Sequence, residues 1–562
     1  MQKINLYLQN KWTMTLLLAL ILFIATFLRL YRLDSVPPSP DWDEAALGYN
    51  AYSIMQTGRD EYGKFLPAVL QSFDDYKPAL YVYLVIPAIA LFDITLFAVR
   101  LPSAIFGVLT VLATYFLIEE LFKRKDLALV ATFLLAISPW HIQFSHIAFE
   151  ANVGLAFNIF SVLFFLKSFK KPWLLSLATL FMGLNLSVYQ SDRLFTPLLA
   201  LALLLIYKKN IFSLPKKYLV GAVIIGFIVT LPFLQYLLVN KQALARAKGV
   251  SITSEQTTQL KASETRFVED KTDGNLIGVI LNNKRVVFGS EILAGYLSHY
   301  DLNWLFIRGD LLRHHAPAMG LMYLWELPFL FIGIYQLLFG SYLKKTKALV
   351  FAWFLLAPVP AAFTNGVPHA VRTLNFLPTF EVFVAIGFVS SCFFINQKGI
   401  LGIKHYGVKI GFLILFILFV AFNFVYYLNQ YFVQQNYFNS EQWQYGYKQA
   451  VDFVKKNDAK YTKVIVSDQI PLDQSYMFFL FYLKYPPILY QQVNATGAGF
   501  RENHQFGKFE FRPIDWDKEI QNPTILYIGR PDDFSRHGLI SNPILEKINS
   551  IDDKPVIQIV GG

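Results

Sequence analysis

The chain has 562 residues, of which 55% are hydrophobic and only 16% charged, with a mean hydropathy of +0.40. Soluble domains run nearer to about a quarter charged, so this composition excludes an ordinary soluble enzyme and points to the bilayer. The net charge of +11 sits in short loops between apolar runs, with no basic tract interleaved with aromatics, which argues against nucleic acid as a partner. The single cysteine, Cys392, excludes an internal disulfide and any cysteine-based metal site.

The first apolar run, Trp12 to Leu28, follows Lys3 and Lys11 and is followed by Arg29 and Arg32. It carries no small-x-small cleavage site, so it reads as a retained first helix. Further candidate spans lie near 101–121, 127–140, 148–166, 173–189, 194–207, 218–238, 320–340, 348–364, 373–395 and 410–428. With a cytoplasmic N-terminus, the inner loops carry Lys123, Arg124 and Lys125; Lys167, Lys170 and Lys171; Lys208, Lys209, Lys216 and Lys217; Lys344, Lys345 and Lys347; Lys398, Lys404 and Lys409. Only Asp126 opposes them, which is the positive-inside pattern in every short loop of one parity. Keeping that parity requires Pro78 to Phe92, short and broken by Pro87, to lie at the interface.

The expected fold is therefore an all-α polytopic membrane domain over 1–430, with about eleven transmembrane helices. Its outer segments are 29–100 and 239–319, and a small α/β domain over 431–562 lies on the same outer side. In that domain Lys463 to Ser467 and Thr524 to Ile528 read as strands, and Tyr476 to Tyr485 as an apolar helix. The expected location is the cell (inner) membrane.

The most informative stretch runs from Pro40 to Tyr49. Pro37, Pro38 and Pro40 end the first helix, and Leu47, Ala51, Ile54 and Met55 then recur at helical spacing. Asp41 stands where an N-cap belongs and Glu44 three residues on, a capping-box spacing. Asp43 is left without a structural task. It falls in the first helical turn, where the dipole favours the ionised carboxylate that a general base requires. Lys77 and Arg100 flank the interfacial helix at headgroup level. Glu150 stands at the start of another span, Asp192 and Arg193 share a short outer turn, and His369 and Arg372 share another, suited to a phosphate oxygen. Asp192 and Arg193 are expected either to pair with each other or to leave Arg193 lining a sugar pocket. The adjacent His314 and His315 cannot share one helix face, so they are a poor metal pair.

Asp43-Glu44 after a first helix, Lys77-Pro78, and Arg100-Leu-Pro-Ser-Ala-Ile-Phe-Gly107 together resemble the polyprenyl-phosphate-dependent glycosyltransferases of the GT-C fold. Within that fold the motifs are similar to those of the bacterial aminoarabinose transferase and the protein O-mannosyltransferases. Motifs are recognisable over roughly 12–200, and topology extends the likeness to about 430. The resemblance implies that Asp43, of the Asp43-Glu44 pair, is the catalytic base and that Lys77 contacts the lipid-linked phosphate. It further implies that Arg100 lies in the substrate site and that Glu150 is the second acid. Bacterial members often carry Arg where His146 stands, and Asp75-Tyr76-Lys77-Pro78 replaces the His-Pro-Pro element of the O-mannosyltransferases.

The expected reaction is inverting transfer of a sugar from a polyprenyl-monophosphate donor to a lipid, glycan or protein acceptor. Asp43, Glu44 and Glu150 are the catalytic candidates. Lys77, Arg100, His146, Arg193, His369 and Arg372 are the substrate-binding ones. No cofactor is expected, and the sequence leaves a divalent cation open. The rivals are a transporter of the sugar or its carrier, a non-catalytic receptor, and a metal-dependent oligosaccharyltransferase or polysaccharide polymerase.

Overall fold

The computed structural model describes residues 11–73, 75–239, 258–399, 406–493, 504–520, 522–534 and 543–562. Lys3, Lys404 and part of the expected outer segment, 240–257, lie outside the described residues. Among the described residues eight helices are long and apolar enough to cross a membrane: Trp12–Leu30, Leu96–Phe122, Glu150–Ser168, Asp192–Phe212, Lys216–Val239, Lys344–Ala362, Leu374–Gln397 and Gly407–Asn439. Helices are the expected solution, since lipid offers the backbone no hydrogen-bond partner.

Two of the three other expected spans fall short of full crossings. The third, 127–140, is a helix pair, Lys125–Ile137 and Pro139–His146, bent by 54° and together long and apolar enough to make a ninth span if the pair is one crossing. The bend falls at Pro139, which has no N–H to continue the ladder. Leu174–Asn185 has 12 residues and Glu326–Phe339 has 14. At about 1.5 Å per residue these reach about 18 and 21 Å, against a hydrocarbon core of about 30 Å. Leu80–Phe92, with 13 residues, is short as expected.

The chain divides into two compact units. The first comprises residues 1–28, 107–144 and 150–424. Its expected inner loops meet at one end of the helices. Lys123 and Lys170 both pair with Glu120, at 2.5 and 3.0 Å. Lys345 bonds the Asn210 side chain, and the Thr346 hydroxyl donates to the Leu121 carbonyl. Small residues let the helices approach closely. A Cβ on Gly333 would lie 1.7 Å from the Phe383 carbonyl oxygen, and one on Gly387 1.9 Å from that of Phe329. The two glycines thus seat Glu326–Phe339 against Thr379–Lys398, the small-residue packing that helices use where no water drives them together.

The second unit comprises 29–106, 145–149 and 425–562, and so reaches back across the boundary expected at 430. It contains the Trp42–Thr57 helix, the hairpin β1 (Val69–Ser72) and β2 (Asp75–Pro78), the Leu80–Phe92 helix and a six-stranded sheet. The sheet runs β4 (His504–Phe506), β5 (Phe509–Phe511), β3 (Lys463–Val466), β6 (Ile525–Gly529), β8 (Pro555–Gly561), β7 (Ile544–Asn549), with β3 parallel to both β5 and β6. Ile465, Trp516, Tyr527, Phe534 and Val560 form a core on it. The apolar helix Ser475–Leu483 packs on Trp42–Thr57, where a Cβ on Gly48 would meet the Phe481 ring at 2.6 Å. The Tyr49 hydroxyl donates to the Tyr485 carbonyl, and the Gln491 amide donates to that of Asp60. This apolar helix and these bonds tie the first outer segment to the C-terminal residues.

Candidate functional site

In the second unit the capping box forms as the spacing predicts. The Glu44 N–H donates to Asp41 Oδ1 at 2.8 Å, and the Glu44 carboxylate reaches back to the Asp41 N–H. Glu44 does more than cap. Its two oxygens take Arg100 Nε and Nη2 at 2.7 and 2.8 Å, and Oε1 also accepts the Ala148 N–H at 2.8 Å. The three remaining Arg100 hydrogens go to the carbonyls of Leu33, Pro37 and Ser39. All five donors are spent, and both side chains are fully buried. Arg100 therefore has nothing left to offer a phosphate, contrary to what the resemblance implies. The reason lies in the proline-rich entry. Pro37, Pro38 and Pro40 supply no N–H groups, so the carbonyls of that turn need an outside donor. His146 serves the same turn. It is fully buried, its Nδ1–H donates to the Val36 carbonyl at 3.0 Å, and the rings of Tyr431 and Phe432 flank it.

Asp43 lies one position away on the helix and faces differently. Its side chain is 34% exposed, and it is ion-paired with the Lys77 ammonium carried on β2. The structure thus separates the two neighbouring acids, Glu44 locked inside and Asp43 presented with a cation. A group missed by the sequence reading lies nearby. Glu61 is buried; its Oε1 accepts from Asn50 Nδ2, and its N–H donates to Asn50 Oδ1, each at 3.0 Å. Burial pushes the Glu61 carboxyl up to about 8, and the Asn50 bond and the Lys77 charge only partly offset this. No hydrophobic period marks Glu61; only the fold brings Asn50 to it.

In the first unit Glu150 is the first residue of Glu150–Ser168 and is half-buried. Asp192 is fully buried, and its Oδ1 accepts from Asn158 Nδ2 at 2.9 Å and Asn375 Nδ2 at 2.7 Å. It does not pair with Arg193. The Arg193 guanidinium instead donates to the Leu186 carbonyl and Gln190 Oε1 and lies 4.5 Å over the Phe233 ring.

A second grouping in the first unit joins residues far apart in sequence. Asp310 Oδ2 accepts from His314 Nδ1 at 2.8 Å and from the Ala370 N–H at 2.7 Å. The rings of His314 and His369 lie 4.9 Å apart. The His299 ring is spent on the backbone: its Nε2 accepts the His369 N–H, and Nδ1–H donates to the Gly295 carbonyl. Burial opposes ionisation of Asp310, but the bond and charge of His314 outweigh it and hold the carboxyl at about 2. Burial, with the nearby charges of His314 and Arg372, lowers His369 well below 6.5. Arg372 Nη1 donates to Thr364 Oγ1 and the Asn365 carbonyl, and no bond from its Nε or Nη2 occurs among the described residues. The neighbours His314 and His315 diverge, His315 turning to the carbonyls of Ala316 and Met319. The readable signal was the four-residue spacing of Asp310 and His314, not the adjacent pair.

Comparison with known proteins follows this geometry. The sequence model of the dolichyl-phosphate-mannose-protein mannosyltransferase family matches residues 76–236, less than half the chain. No curated protein matches the chain by sequence. In structure it is similar to ArnT from Cupriavidus metallidurans. The apo form has a TM-score of 0.53 and 11% identity, with 96% of this chain and 97% of that one covered. The form bound to undecaprenyl phosphate has a TM-score of 0.54 and 10% identity over the same shares. An oligosaccharyltransferase from Archaeoglobus fulgidus is more distant, with a TM-score of 0.48, 14% identity, and 84% and 64% of the two chains covered. The fold is thus that of the GT-C membrane proteins, as the motifs imply, and the likeness runs past residue 430, the expected end of the resemblance; the chain is a multi-pass membrane protein.

Proposed function

We propose that the chain is an integral-membrane inverting glycosyltransferase that moves a sugar from a polyprenyl-monophosphate donor to an acceptor on the outer face of the cell membrane. The observation that carries this is the Asp43–Lys77 pair, an accessible carboxylate at a helix N-terminus held against an ammonium from the neighbouring hairpin. The family match beginning at residue 76 and the fold of ArnT, solved with undecaprenyl phosphate, support it.

Asp43 takes the proton of the acceptor hydroxyl or amine. The freed lone pair forms a bond to the anomeric carbon as the bond from that carbon to the phosphate oxygen breaks, and its electrons leave with the lipid phosphate. Lys77 is shared between Asp43 and that phosphate, where charge grows in the transition state. Within the first unit, Glu150 is the candidate second acid, and Arg372, whose Nε and Nη2 make no bond among the described residues, is a candidate phosphate contact. Glu44, Arg100 and His146 act on the reaction by fixing the turn that carries Asp43. A lone carboxylate base fits inversion, since retention needs a carboxylate nucleophile as well. The acids Glu150, Asp192, Glu326 and Glu381 all stand in the first turns of their helices. That end is opposite the lysine-rich loops, which supports an N-terminus inside and acids outside, and it disfavours a transporter with charges at mid-membrane.

The test is transfer of radiolabelled sugar in membranes supplied with polyprenyl-phosphate sugars, comparing the native chain with Asp43→Asn at matched expression, with and without chelator. Transfer lost in Asp43→Asn and kept with chelator is expected. Normal transfer by Asp43→Asn overturns the base assignment.

A further inference from the structure

We propose that Asp310, His314 and His369 form a binding site for a divalent transition-metal ion, Zn2+ in the first instance. Their ligand atoms lie within 4.8 Å of one another, and this is the one such His/Asp/Glu group found among the described residues. One carboxylate oxygen and two imidazole nitrogens make a mixed nitrogen–oxygen set. That set suits zinc and other borderline ions and leaves one tetrahedral position open.

The surroundings are those of a prepared site rather than of a chance polar patch. Asp310 is oriented by the Ala370 N–H, an outer hydrogen bond of the kind that fixes a ligating carboxylate. The His369 backbone is held by the His299 ring, which places the His369 side chain without occupying it. Its Nδ1 is buried and has no hydrogen-bond partner among the described residues. A buried ring nitrogen without a partner is costly, and a metal would satisfy it. The neighbouring histidines are already committed to carbonyls, His299 to Gly295 and His315 to Ala316 and Met319, so the set closes at three. Metal entry displaces the hydrogen that His314 Nδ1 now shares with Asp310, and that proton leaves to solvent if Nδ1 is the ligating atom.

The ion would add a link between residues 310–314, near the end of the long outer segment, and the turn at 369, where Asp310 already accepts the Ala370 N–H. Arg372 stands three residues from His369 on the same turn, so an anionic oxygen is the fourth ligand its charge would favour.

The experiment uses the full chain in detergent without an affinity tag of histidines. It is stripped with EDTA, dialysed against Zn2+, and its metal content measured; Co2+ is then substituted and its visible d–d spectrum recorded. We expect about one equivalent of Zn2+ and a tetrahedral Co2+ spectrum. In His369→Gln and Asp310→Asn, affinity should fall on the order of a hundredfold or more. Cys392→Ser, which removes the exposed thiol, should retain both signals. Variants whose melting in EDTA equals that of the native chain in EDTA are folded and count. No bound metal in the native chain, or equal metal in native and variant chains, overturns the site. Neither readout uses a sugar donor, so failure here leaves the transferase reading standing, and the reverse holds too.

Discussion

Replacing Arg100 separates two accounts of this side chain, because a phosphate contact and a buried strut fail differently. Arg100→Ala removes five hydrogen bonds, two to Glu44 and one each to the carbonyls of Leu33, Pro37 and Ser39. Glu44 is then left as a fully buried carboxylate without its cation. Breaking a buried pair from one side costs about 3–5 kcal/mol, and each orphaned carbonyl adds about 1 kcal/mol. With three such carbonyls the expected loss is about 6–8 kcal/mol, a large fraction of any protein's stability. Arg100→Lys keeps the charge but offers three hydrogens without the planar fork, so it should lose roughly half as much. The double variant Glu44→Gln, Arg100→Met should be less unstable than the two single losses summed, since neither residue is then a buried orphan charge. Thermal unfolding in detergent, followed by tryptophan fluorescence, reads the loss, and binding of the polyprenyl-phosphate sugar is measured alongside. If Arg100→Ala melts like the native chain but binds donor about tenfold more weakly, Arg100 is a phosphate ligand and the strut argument is wrong.

Two further predictions rest on single contacts. Burial raises Glu61 from 4.5 to about 8, so the folded protein keeps a proton there that the unfolded chain has already released. The stability this group contributes is whole below pH 4.5 and is lost as pH rises through about 8. Glu61→Gln keeps an acceptor for Asn50, so its melting temperature should match the native chain at pH 5 and exceed it at pH 8; a native chain with no such relative decline refutes the burial argument. Gly333→Ile puts a Cβ where the Phe383 carbonyl already lies, 1.7 Å away. It should unseat the Glu326–Phe339 helix and abolish recovery of folded protein by size-exclusion chromatography, while Gly411→Ile, with nothing within 4 Å, should be recovered normally.

Legibility followed the range of the interactions. The membrane spans rest on local runs of apolar residues and on loop charge, and both are present in the string itself, as Lys123, Lys170 and Lys345 at one helical end illustrate. The spans that fell short, Leu174–Asn185 and Glu326–Phe339, did so because hydropathy records solvent preference and not where a helix stops. The capping box was readable because its partners are three residues apart. The Glu44–Arg100 pair was not, since its members are 56 residues apart, Glu44 already had a role in the capping box, and the resemblance assigns Arg100 to substrate. In the C-terminal sheet, β3 and β6 stood out as apolar runs. The strands β4 and β5 have three residues each and gain their identity only from pairing with each other and with β3.

The same reasoning bears on what the two adjacent acids do. In sequence Asp43 and Glu44 both fall in the first turn of one helix and both profit from its dipole, and only the capping-box spacing sets Glu44 apart. The helix turns about 100° between them. That rotation sends one carboxylate to a five-donor arginine in the interior and leaves the other partly exposed against the Lys77 ammonium. A general base has to meet its acceptor, so only the second can serve. Glu44 then matters because it is inaccessible: by fixing Arg100, and through it the carbonyls of the proline-rich turn, it sets the angle at which the Trp42–Thr57 helix begins and therefore where Asp43 points. Glu44→Gln should accordingly lower the turnover of the native reaction together with stability, whereas Asp43→Asn should abolish turnover and leave the melting temperature almost unmoved. An Asp43→Asn chain that melts far below the native one would show that the Lys77 pair holds the fold, and the division of labour between the two acids would fail.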